Sequence, residues 1–411
     1  MTACDEPIAG RDRRDTRPRV AFVVQRYGAD VTGGSESLAR SVAERLTDHR
    51  VTVFTTCARD YVTWRNELKE GSERVSGVEV ARFRNEEERD LAAFNAHSES
   101  LYGRPHTEEE ELIWLKRQGP YCPRLVEQLE ACKDRFEAVL FFTYLYFPTY
   151  WGLRAAPERS ILVPTAHDEP PLRFSIYREM FASARALAFC SGPEEQLVRS
   201  RFRLRQGAPT AVAGIGVEVP ESLDVDGFRI RHDVKGPYAV YAGRIDEGKG
   251  CAEMIGFYER YRRDFRGAAE LILIGKLAMT LPRAPGVRYL GFLSEAEKMA
   301  ALAGARAVVC SSPFESLSIA LLEGLGLGTP ALVNARSEVL QDHCRRSNAG
   351  LSYADADEFA ECLDLLVGQA RLRAALGENG RSYVRENYRW EAVLGRYRAL
   401  IASVSRQGNG R

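Results

Sequence analysis

The sequence predicts an α/β protein built from two doubly wound, Rossmann-like domains. Short apolar, β-branched runs alternate with longer amphipathic stretches, as expected of buried parallel strands and the helices that cover them. The alternation breaks once, over residues 218–237, where Pro, Gly and charged residues show little periodicity, and it then resumes. A length of 411 residues also suits two or three domains.

The first series of strand-like runs places the N-terminal domain at residues 19–217. These runs are residues 19–25, 50–56, 78–83, 138–142, 160–164 and 186–190. Amphipathic, helix-like segments separate them. Residues 85–120 fit the alternation less well because they carry two acidic runs. We interpret these runs as a solvated helix face, with an acceptor-facing insertion as the alternative.

A second series follows the predicted linker at residues 218–237 and places the C-terminal domain at residues 238–387. Its strand-like runs are residues 238–242, 271–274, 287–290, 307–310 and 331–334. Residues 390–404 then read as one amphipathic helix. Two α/β domains joined by a hinge are expected to face one another across a cleft, and such sheets bind ligands beyond the carboxyl ends of their strands.

The composition argues against several classes of protein. Formal net charge is zero, from 57 Lys and Arg against 57 Asp and Glu, so we expect no nucleic-acid partner. The nine Cys are scattered singly, without metal-ligand spacing, and suit a reducing cytosol. Residues 1–18 lack an apolar core, so we predict a disordered lead-in rather than a signal peptide. No run has the ~18 apolar residues of a membrane span, and we expect a cytoplasmic protein.

One basic run bears on membrane contact. Residues 199–205 (RSRFRLR) place four Arg at alternating positions. We interpret this run as a solvated surface, with a patch for anionic lipid as the alternative. Peripheral association with the inner face of a membrane therefore stays open.

A candidate anion site follows the first strand of the C-terminal domain. The segment YAVYAGRIDEGKG reads as a strand, a turn at Gly243 and a helix start. Arg244 and Lys249 stand near this helix start, whose backbone N–H groups favour an anion, and together they are suited to a diphosphate. A P-loop is the nearest alternative, but Gly250 replaces the Ser or Thr that would bind Mg²⁺.

A pair of carboxylates lies in the segment SSPFESLSIALLEGLGLGTPALVN. Glu315 precedes a predicted helix and Glu323 lies about two turns inside it, so the two would contact different parts of one elongated ligand. The backbone N–H groups of Ser316, Leu317 and Ser318 open the helix and are suited to sugar hydroxyls or phosphate oxygens. The alternative is a capping acid followed by a solvated acid.

Together the two motifs resemble the signature of retaining GT-B glycosyltransferases of family 4. The E-x7-E pair followed by G-x-G-x-G-T-P is similar to that family's donor motif, and G-R-x-x-x-x-K-G to its phosphate-binding turn. The resemblance implies the GT-B architecture, with a C-terminal helix at residues 388–405 packing on the N-terminal domain. It also implies transfer of a hexose-type sugar from a nucleotide-diphosphate sugar to a glycan, lipid-linked or small-molecule acceptor, as in polysaccharide biosynthesis.

The resemblance also assigns roles in the C-terminal half. Glu315 is expected to hydrogen-bond the donor sugar and Glu323 the nucleotide ribose. Arg244 and Lys249, beside Gly243, are expected to neutralise the departing diphosphate. The backbone at Phe292 and Leu293 is expected to read the base. The segment Ser316-Leu317-Ser318 departs from the usual Gly-Phe-Gly, so the contacts to the sugar are expected to differ.

In the N-terminal half the resemblance rests on two shorter matches. Gly33 and Gly34 match the glycine loop that lies near the diphosphate and the acceptor. His167, in PTAHDEP, matches a His-Asp turn near the donor sugar, with a structural turn histidine as the alternative. The family's usual Asn before Gly-Val is Ile215 here. With Glu315, Lys249 and Arg244, His167 completes the candidate catalytic set.

The implied reaction proceeds with net retention and needs neither a cofactor nor a metal. Negative charge grows on the diphosphate in the transition state, and fixed cations stabilise it. We expect no metal site because none of the predicted strands ends at an Asp-x-Asp. Two alternatives stay open: a nucleotide-sugar epimerase of GT-B fold, and a non-catalytic protein that binds nucleotide sugars.

Overall fold

The structure, a computed structural model, describes residues 15–31, 33–265 and 269–408, with side chains to residue 406. The chain divides into two compact units. The N-terminal unit runs to Ile215 and also takes the chain from Leu394 onward, while the C-terminal unit is Gly216–Val393. The predicted lead-in at residues 1–18 lies outside the described residues up to residue 14.

The N-terminal unit contains an eight-stranded sheet in the order β3-β4-β2-β1-β5-β6-β7-β8. Its strands are β1 (Arg19–Val23), β2 (Arg50–Thr56), β3 (Gly71–Val75), β4 (Val78–Phe83), β5 (Ala138–Phe142), β6 (Ser160–Val163), β7 (Ala186–Phe189) and β8 (Thr210–Val212). All neighbours pair in parallel except β3 and β4. Strands β2, β5, β6 and β7 are buried along their whole length because helices cover both faces of the sheet.

Seven helices belong to the described residues of this unit before Ile215. They are α1 (Gly34–Arg45), α2 (Leu91–Tyr102), α3 (Glu108–Gln118), α4 (Pro123–Cys132), α5 (Phe147–Ala155), α6 (Ile176–Ser183) and α7 (Gly192–Arg201). Helix α3 opens with a capping box between Thr107 and Glu110. The apolar sides of α2 to α7 meet in one core that includes the large rings of Trp114, Tyr144 and Tyr177.

The acidic run of α3 is only partly the solvated face that the sequence predicts. Glu108 and Glu109 are exposed, but Glu111 is buried. Its carboxylate accepts hydrogen bonds from the backbone N–H and hydroxyl of Ser175 (2.9 and 2.7 Å) and from the Ile176 N–H (2.9 Å). An acid in the middle of a charged run therefore caps helix α6, because a helix N-terminus offers unpaired donors.

The C-terminal unit contains a six-stranded, wholly parallel sheet in the order β11-β10-β9-β12-β13-β14. Its strands are β9 (Tyr238–Ala242), β10 (Glu270–Ile274), β11 (Val287–Tyr289), β12 (Ala307–Cys310), β13 (Ala331–Asn334) and β14 (Gly350–Tyr353). Its helices are α8 (Val225–Arg231), α9 (Cys251–Asp264), α10 (Glu295–Gly304), α11 (Ile319–Leu327), α12 (Glu338–Ser347), α13 (Ala356–Gly368) and α14 (Ala370–Asn387). The two Rossmann-like sheets confirm the predicted α/β class.

Helix α8 lies inside the range that the sequence predicts to be a linker. Phe228 is fully buried, and α8 packs against α10. At the end of α8, the ring of His232 lies 2.7 Å from the Glu297 carboxylate. Residues 218–237 thus belong to the C-terminal unit, because one buried aromatic residue anchors an otherwise polar segment.

The last helix, α15 (Trp390–Gly408), begins in the C-terminal unit and continues in the N-terminal unit from Leu394. There the Tyr397 hydroxyl donates to the Gly214 carbonyl (3.2 Å) and the Arg398 guanidinium to Asp48 (2.8 Å). These contacts agree with the predicted return of the C-terminal helix to the N-terminal domain.

The basic run at residues 199–205 is largely matched by acidic neighbours. Arg199 lies 2.8 Å from Glu195, and Arg201 lies 2.7 Å from Asp168. A third arginine of the run, Arg205, lies 3.7 Å from the Glu158 carboxylate. These pairs favour the interpretation as a solvated surface.

No helix within residues 15–31, 33–265 and 269–408 is long and apolar enough to cross a membrane.

Candidate functional site

The order of strands in the C-terminal sheet selects one edge for a ligand. The chain proceeds from β9 outward through β10 and β11, and then returns to place β12 on the other side of β9. Such a reversal leaves a crevice outside the carboxyl ends of the two central strands. The loops that follow β9 and β12 carry the two predicted motifs.

The loop after β9 is a short capped turn. Asp246 accepts a hydrogen bond from the Lys249 backbone N–H (2.8 Å), and the Arg244 guanidinium donates to the same carboxylate. A single 3₁₀ turn, Glu247–Lys249, leads through Gly250 into helix α9. Asp246 thus fixes the backbone beside Lys249 as well as the side chain of Arg244, a role that no sequence motif indicates.

Both the backbone conformation and the close packing at position 250 require glycine. Its φ of 68° is in the left-handed region, and a Cβ at this position would lie 2.6 Å from the backbone carbonyl oxygen of Ser311. The Ser311 hydroxyl in turn donates to the Lys249 carbonyl (2.8 Å). The loops after β9 and β12 are therefore in direct contact.

Across this contact Lys249 meets Glu315. The ammonium Nζ donates to Glu315 Oε1 at 2.8 Å, and the two side chains keep 31% and 17% of their surface exposed. The sequence predicts both residues in one site but gives no sign that they pair. The pair is open enough for a ligand to reach either member, since neither side chain is fully buried.

Helix α11 begins with an unusual residue. Ser318 stands at the N-cap with φ 69° and ψ 87°, a backbone conformation that favours glycine. In the described part of the chain, no group accepts a hydrogen bond from the backbone N–H of Ser316, Leu317 or Ser318. Three donors at a helix start are thus available to an anion or a sugar oxygen.

A buried histidine supports this helix start. His343 on α12 lies 3.0 Å from the Leu317 carbonyl through Nε2 and 3.0 Å from the Tyr383 hydroxyl through Nδ1. A carbonyl only accepts, so Nε2 carries the proton and Nδ1 accepts from Tyr383. Burial lowers the pKa of His343 to about 4, so the imidazole is neutral. Sequence patterns gave no indication of this residue.

The second carboxylate, Glu323, lies inside α11 and is only 9% exposed. The Lys298 ammonium on α10 lies 2.8 Å from each of its oxygens, and it donates a hydrogen bond to Oε1. Burial raises the pKa of Glu323, and the Lys298 cation opposes that effect. No sequence motif marks Lys298, because α10 is an ordinary amphipathic helix in sequence.

The predicted base-reading stretch lies at the same edge of the sheet. Gly291, with φ 80°, follows β11, and its carbonyl accepts from the Gly275 N–H (2.9 Å). A Cβ on Gly275 would lie 1.9 Å from the Gly243 carbonyl oxygen. The turn after β10 therefore lies directly against the turn after β9. Phe292 is 71% exposed, and Leu293 is partly buried.

The N-terminal unit carries the other predicted residues. Its strand order reverses between β1 and β5. Gly33 and Gly34 start helix α1 after β1, and a Cβ on Gly33 would lie 2.2 Å from Glu36 Oε2. Glu36 is buried and accepts hydrogen bonds from Arg26 Nε (2.9 Å) and Gln25 (2.9 Å). The glycine loop is thus shaped by a buried ion pair.

His167 follows strand β6, and its Nδ1 lies 3.7 Å from Glu169 Oε1. The same oxygen of Glu169 accepts a hydrogen bond from the Tyr144 hydroxyl (2.8 Å). Burial raises the pKa of Glu169. Next to His167, the Ala166 N–H donates to the buried carboxyl of Glu194 (2.6 Å).

Two threonines at this edge have strained backbones. Thr143 and Thr165 follow β5 and β6 with φ of 67° and 50°, and their hydroxyls are 3.0 Å apart. β-Branched residues rarely adopt this conformation, and such strain is concentrated at functional sites. The structure therefore places His167 among buried and strained groups at the carboxyl edge of the N-terminal sheet.

Comparison with known proteins finds similarity to glycosyltransferases in part of the chain. Residues 225–383 match the family model "Glycosyl transferases group 1". The lipopolysaccharide core biosynthesis glycosyltransferase LpsE of Rhizobium meliloti is 30% identical over 185 residues, or 44% of this chain and 54% of that protein. An MMP alpha-(1->4)-mannosyltransferase of Mycolicibacterium hassiacum is 29% identical over 178 residues, or 38% and 41%. The chain thus spans about half or less of the length of these relatives.

Solved structures match over nearly the whole chain. Sucrose-phosphate synthase of Thermosynechococcus elongatus gives a TM-score of 0.70 at 18% identity, covering 94% of this chain and 100% of that one. Anabaena HepE in complex with UDP and glucose gives 0.66 at 12% identity, covering 94% and 100%. At these identities the match shows the GT-B fold alone. The family model thus matches residues 225–383 of this chain, and the solved structures show its fold.

Proposed function

We propose that this protein is a retaining glycosyltransferase that moves a hexose-type sugar from a nucleotide-diphosphate sugar to a glycan, lipid-linked or small-molecule acceptor. One observation carries the proposal. At the reversal point of the C-terminal sheet, the Lys249–Glu315 pair lies beside three backbone N–H groups that are available at the start of α11. A cation, a carboxylate and free donors on one rigid edge fit a sugar joined to a diphosphate.

The diphosphate belongs at the cationic end of this edge. Arg244 and Lys249 both stand on the turn that Asp246 fixes, so little reorganisation is needed when negative charge grows on the departing oxygen. Within the proposal, these two residues stabilise the leaving group. The reaction is expected to proceed without a metal, and insensitivity of the rate to EDTA would test that expectation.

The carboxylates of Glu315 and Glu323 bind the two uncharged parts of the donor, the sugar and the ribose. Glu315, already bound to Lys249, accepts hydrogen bonds from hydroxyls of the donor sugar. Glu323, inside α11, accepts from the ribose hydroxyls, and the Phe292–Leu293 backbone reads the base. In the N-terminal unit, Gly33 and Gly34 are proposed to lie near the diphosphate and the acceptor. His167 is proposed to contact the donor sugar.

The choice of first donors follows from the fold neighbours. HepE of Anabaena is described in complex with UDP-glucose, and an E. coli trehalose-6-phosphate protein is described with UDP-2-fluoro glucose. We therefore propose UDP-sugars as the first donor class, with GDP- and dTDP-sugars as comparators. A thermal-shift screen identifies the binder, because a ligand that binds only the folded state raises the melting temperature.

Hits are then assayed for release of nucleoside diphosphate with and without acceptors. Acceptor-dependent release with an α-configured product from an α-linked donor is the expected result. An isomerised sugar nucleotide formed without acceptor would establish an epimerase instead. Tight donor binding without turnover under any acceptor would establish a binding protein.

The variant Lys249→Ala tests the leaving-group role. We expect about a 100-fold lower turnover, because removal of one fixed donor to a developing anion has an effect of that size. Lys235→Ala is the matched control, since Lys235 is an exposed lysine of the same unit that pairs with Asp233. Wild-type turnover in Lys249→Ala would remove Lys249 from the mechanism.

A further inference from the structure

The buried Lys298–Glu323 pair is the feature that the proposed reaction leaves unexplained. Glu323 is assigned to a ligand, yet its carboxylate already lies against an ammonium group 2.8 Å away. Lys298 comes from a different helix, α10, and also lies 2.9 Å from Glu295. A buried, ligand-binding carboxylate that is already paired with a partly buried cation requires an explanation.

The burial of Glu323 explains in part why a cation lies beside it. Desolvation disfavours the charged form of a carboxylate that is 9% exposed, and the Lys298 cation opposes that effect. A protonated carboxyl is a weaker hydrogen-bond acceptor than a carboxylate. Lys298 therefore favours the form of Glu323 that accepts strong hydrogen bonds.

The position of the Lys298 ammonium relative to the two Glu323 oxygens gives a second reason. The ammonium donates to Oε1, and Glu323 Oε2 accepts no hydrogen bond from the described residues, although Lys298 Nζ is near it. A carboxylate held at one oxygen keeps a fixed plane and leaves acceptor capacity on the other. That remaining capacity suits a ligand hydroxyl.

The position of Lys298 is itself fixed by the packing of α10 on α11. The Thr329 hydroxyl, just after α11, donates to the Leu302 carbonyl in α10 (2.7 Å). The two helices are also in contact with one another. The ammonium group is therefore held in register with Glu323 rather than supplied by a mobile surface lysine.

The charges around Glu323 define which part of a ligand fits. Lys298 is opposed by both Glu323 and Glu295, so the cluster as a whole is not cationic. It favours hydroxyls over phosphate, in contrast to the turn that carries Arg244 and Lys249. The donor site thus consists of a diphosphate end and a separate hydroxyl-binding end.

We propose that Lys298 is a positioning residue that holds Glu323 ionised and oriented for the vicinal hydroxyls of the donor's ribose. This proposal rests on the proposed function, because it assigns a nucleoside to the site. It assigns Lys298 no contact with the diphosphate. Affinity for the nucleoside part of the donor therefore depends on Lys298, while affinity for the diphosphate part does not.

The test measures binding of three probes, UDP-glucose, UDP and inorganic pyrophosphate, to wild type and to Lys298→Met. We expect Lys298→Met to weaken UDP-glucose and UDP at least 10-fold and to change pyrophosphate binding less than 2-fold. Lys298→Arg is expected to restore most of the lost affinity, since a guanidinium also pairs with a carboxylate. In turnover, KM rises in Lys298→Met and kcat changes little.

Controls separate this role from a structural one. Lys235→Met removes an exposed lysine from the same unit and should leave all three probes unchanged. Lys249→Ala should give a different pattern, with weaker binding of all three probes, because each of them carries a diphosphate. If Lys298→Met does not fold, Lys298→Gln, which keeps a donor without charge, is compared in the same way.

Two results overturn the inference. Equal loss of UDP and pyrophosphate binding in a folded Lys298 variant would show a general electrostatic or structural role. Unchanged UDP binding in that variant would show that the pair serves only the fold, and in either case the glycosyltransferase proposal stands. If wild type binds no UDP, GDP or dTDP compound, the proposed function fails first and the inference fails with it.

Discussion

The ion pair at the reversal point of the C-terminal sheet is more exposed to solvent than the ion pair at the matching edge of the N-terminal sheet. In the C-terminal unit, Lys249 and Glu315 retain 31% and 17% of their side-chain surface. In the N-terminal unit, Arg26 and Glu36 retain 6% each. Both pairs stand beside a glycine that starts a helix, so the topology is alike while the solvent exposure is not.

This difference in exposure implies different roles for the two ion pairs. A partly exposed pair gains little stability in water, and its members are available to a ligand. A buried pair contributes to the shape of a loop, and removal of one partner leaves a charge without compensation. We therefore expect substitutions in the Arg26–Glu36 pair to change stability and those in the Lys249–Glu315 pair to change activity.

The largest expected effect on stability is that of Glu36→Ala. We expect the free energy of unfolding of the N-terminal unit to fall by about 3–5 kcal/mol, because the buried Arg26 guanidinium loses this carboxylate. Urea denaturation followed by tryptophan fluorescence measures it, since Trp64, Trp114 and Trp151 all lie in this unit. Glu44→Ala, on the partly exposed pair with Arg40, is the control and should change less than about 1 kcal/mol.

A smaller effect is expected from Glu194, and it depends on pH. Burial raises the pKa of this carboxyl to about 8, above its ordinary 4.5. The folded chain then binds a proton that the unfolded chain has lost, so this contribution to stability is complete below about pH 4.5 and is lost as pH rises through about 8.

The variant Glu194→Gln removes that titration. Between pH about 5 and 8, wild type should lose on the order of 3 kcal/mol more stability than the variant. The same fluorescence-detected denaturation, repeated across that pH range, gives both slopes. Parallel slopes would mean that the carboxyl titrates normally in the folded state.

Ser318→Gly is expected to stabilise the C-terminal unit by about 0.5–1 kcal/mol. Glycine adopts a φ of 69° without the steric penalty that a serine side chain incurs. Ser316→Gly is the matched control in the same loop and should be neutral or slightly destabilising, because Ser316 has no positive φ to relieve. Thermal unfolding followed by calorimetry compares the two, and a destabilised Ser318→Gly would contradict the assignment of strain.

The smallest expected effect on stability is that of Lys249→Ala, the variant with the largest expected effect on turnover. Its pair with Glu315 is partly exposed, so the free energy of unfolding should change by no more than about 0.5–1 kcal/mol. Calorimetry on the protein used for the activity assay gives the value. A loss comparable to that of Glu36→Ala would mean that the two pairs serve the same structural purpose.

The sequence was most informative where function depends on local chain geometry. The turn at Gly243–Gly250 and the start of α11 each occupy a few consecutive residues, so their spacing already indicates an anion-binding loop and a helix start. Every predicted strand-like run is also a strand in the structure. Buried parallel strands are easily recognised, because they must be apolar along their whole length.

Partners distant in sequence could not be predicted in this way. The pairing of Lys298 with Glu323, the contact of His343 with Leu317 and the burial of Glu111 against α6 all depend on how helices pack. In sequence, each of these residues is an ordinary polar position on an amphipathic helix. Strand β14 was also missed, because its exposed positions interrupt the apolar pattern.

The chain enters and leaves the C-terminal unit at one place. The Val217 N–H donates to the Tyr388 carbonyl (2.8 Å), and Gly216 lies against the ring of Trp390 so closely that a Cβ would come within 2.2 Å of it. In topological terms residues 216–393 are an insertion whose two ends are already adjacent. A single contiguous cassette therefore carries Arg244, Lys249 and both carboxylates, and a graft of that cassette between related chains would transfer these four proposed donor contacts without cutting either sheet.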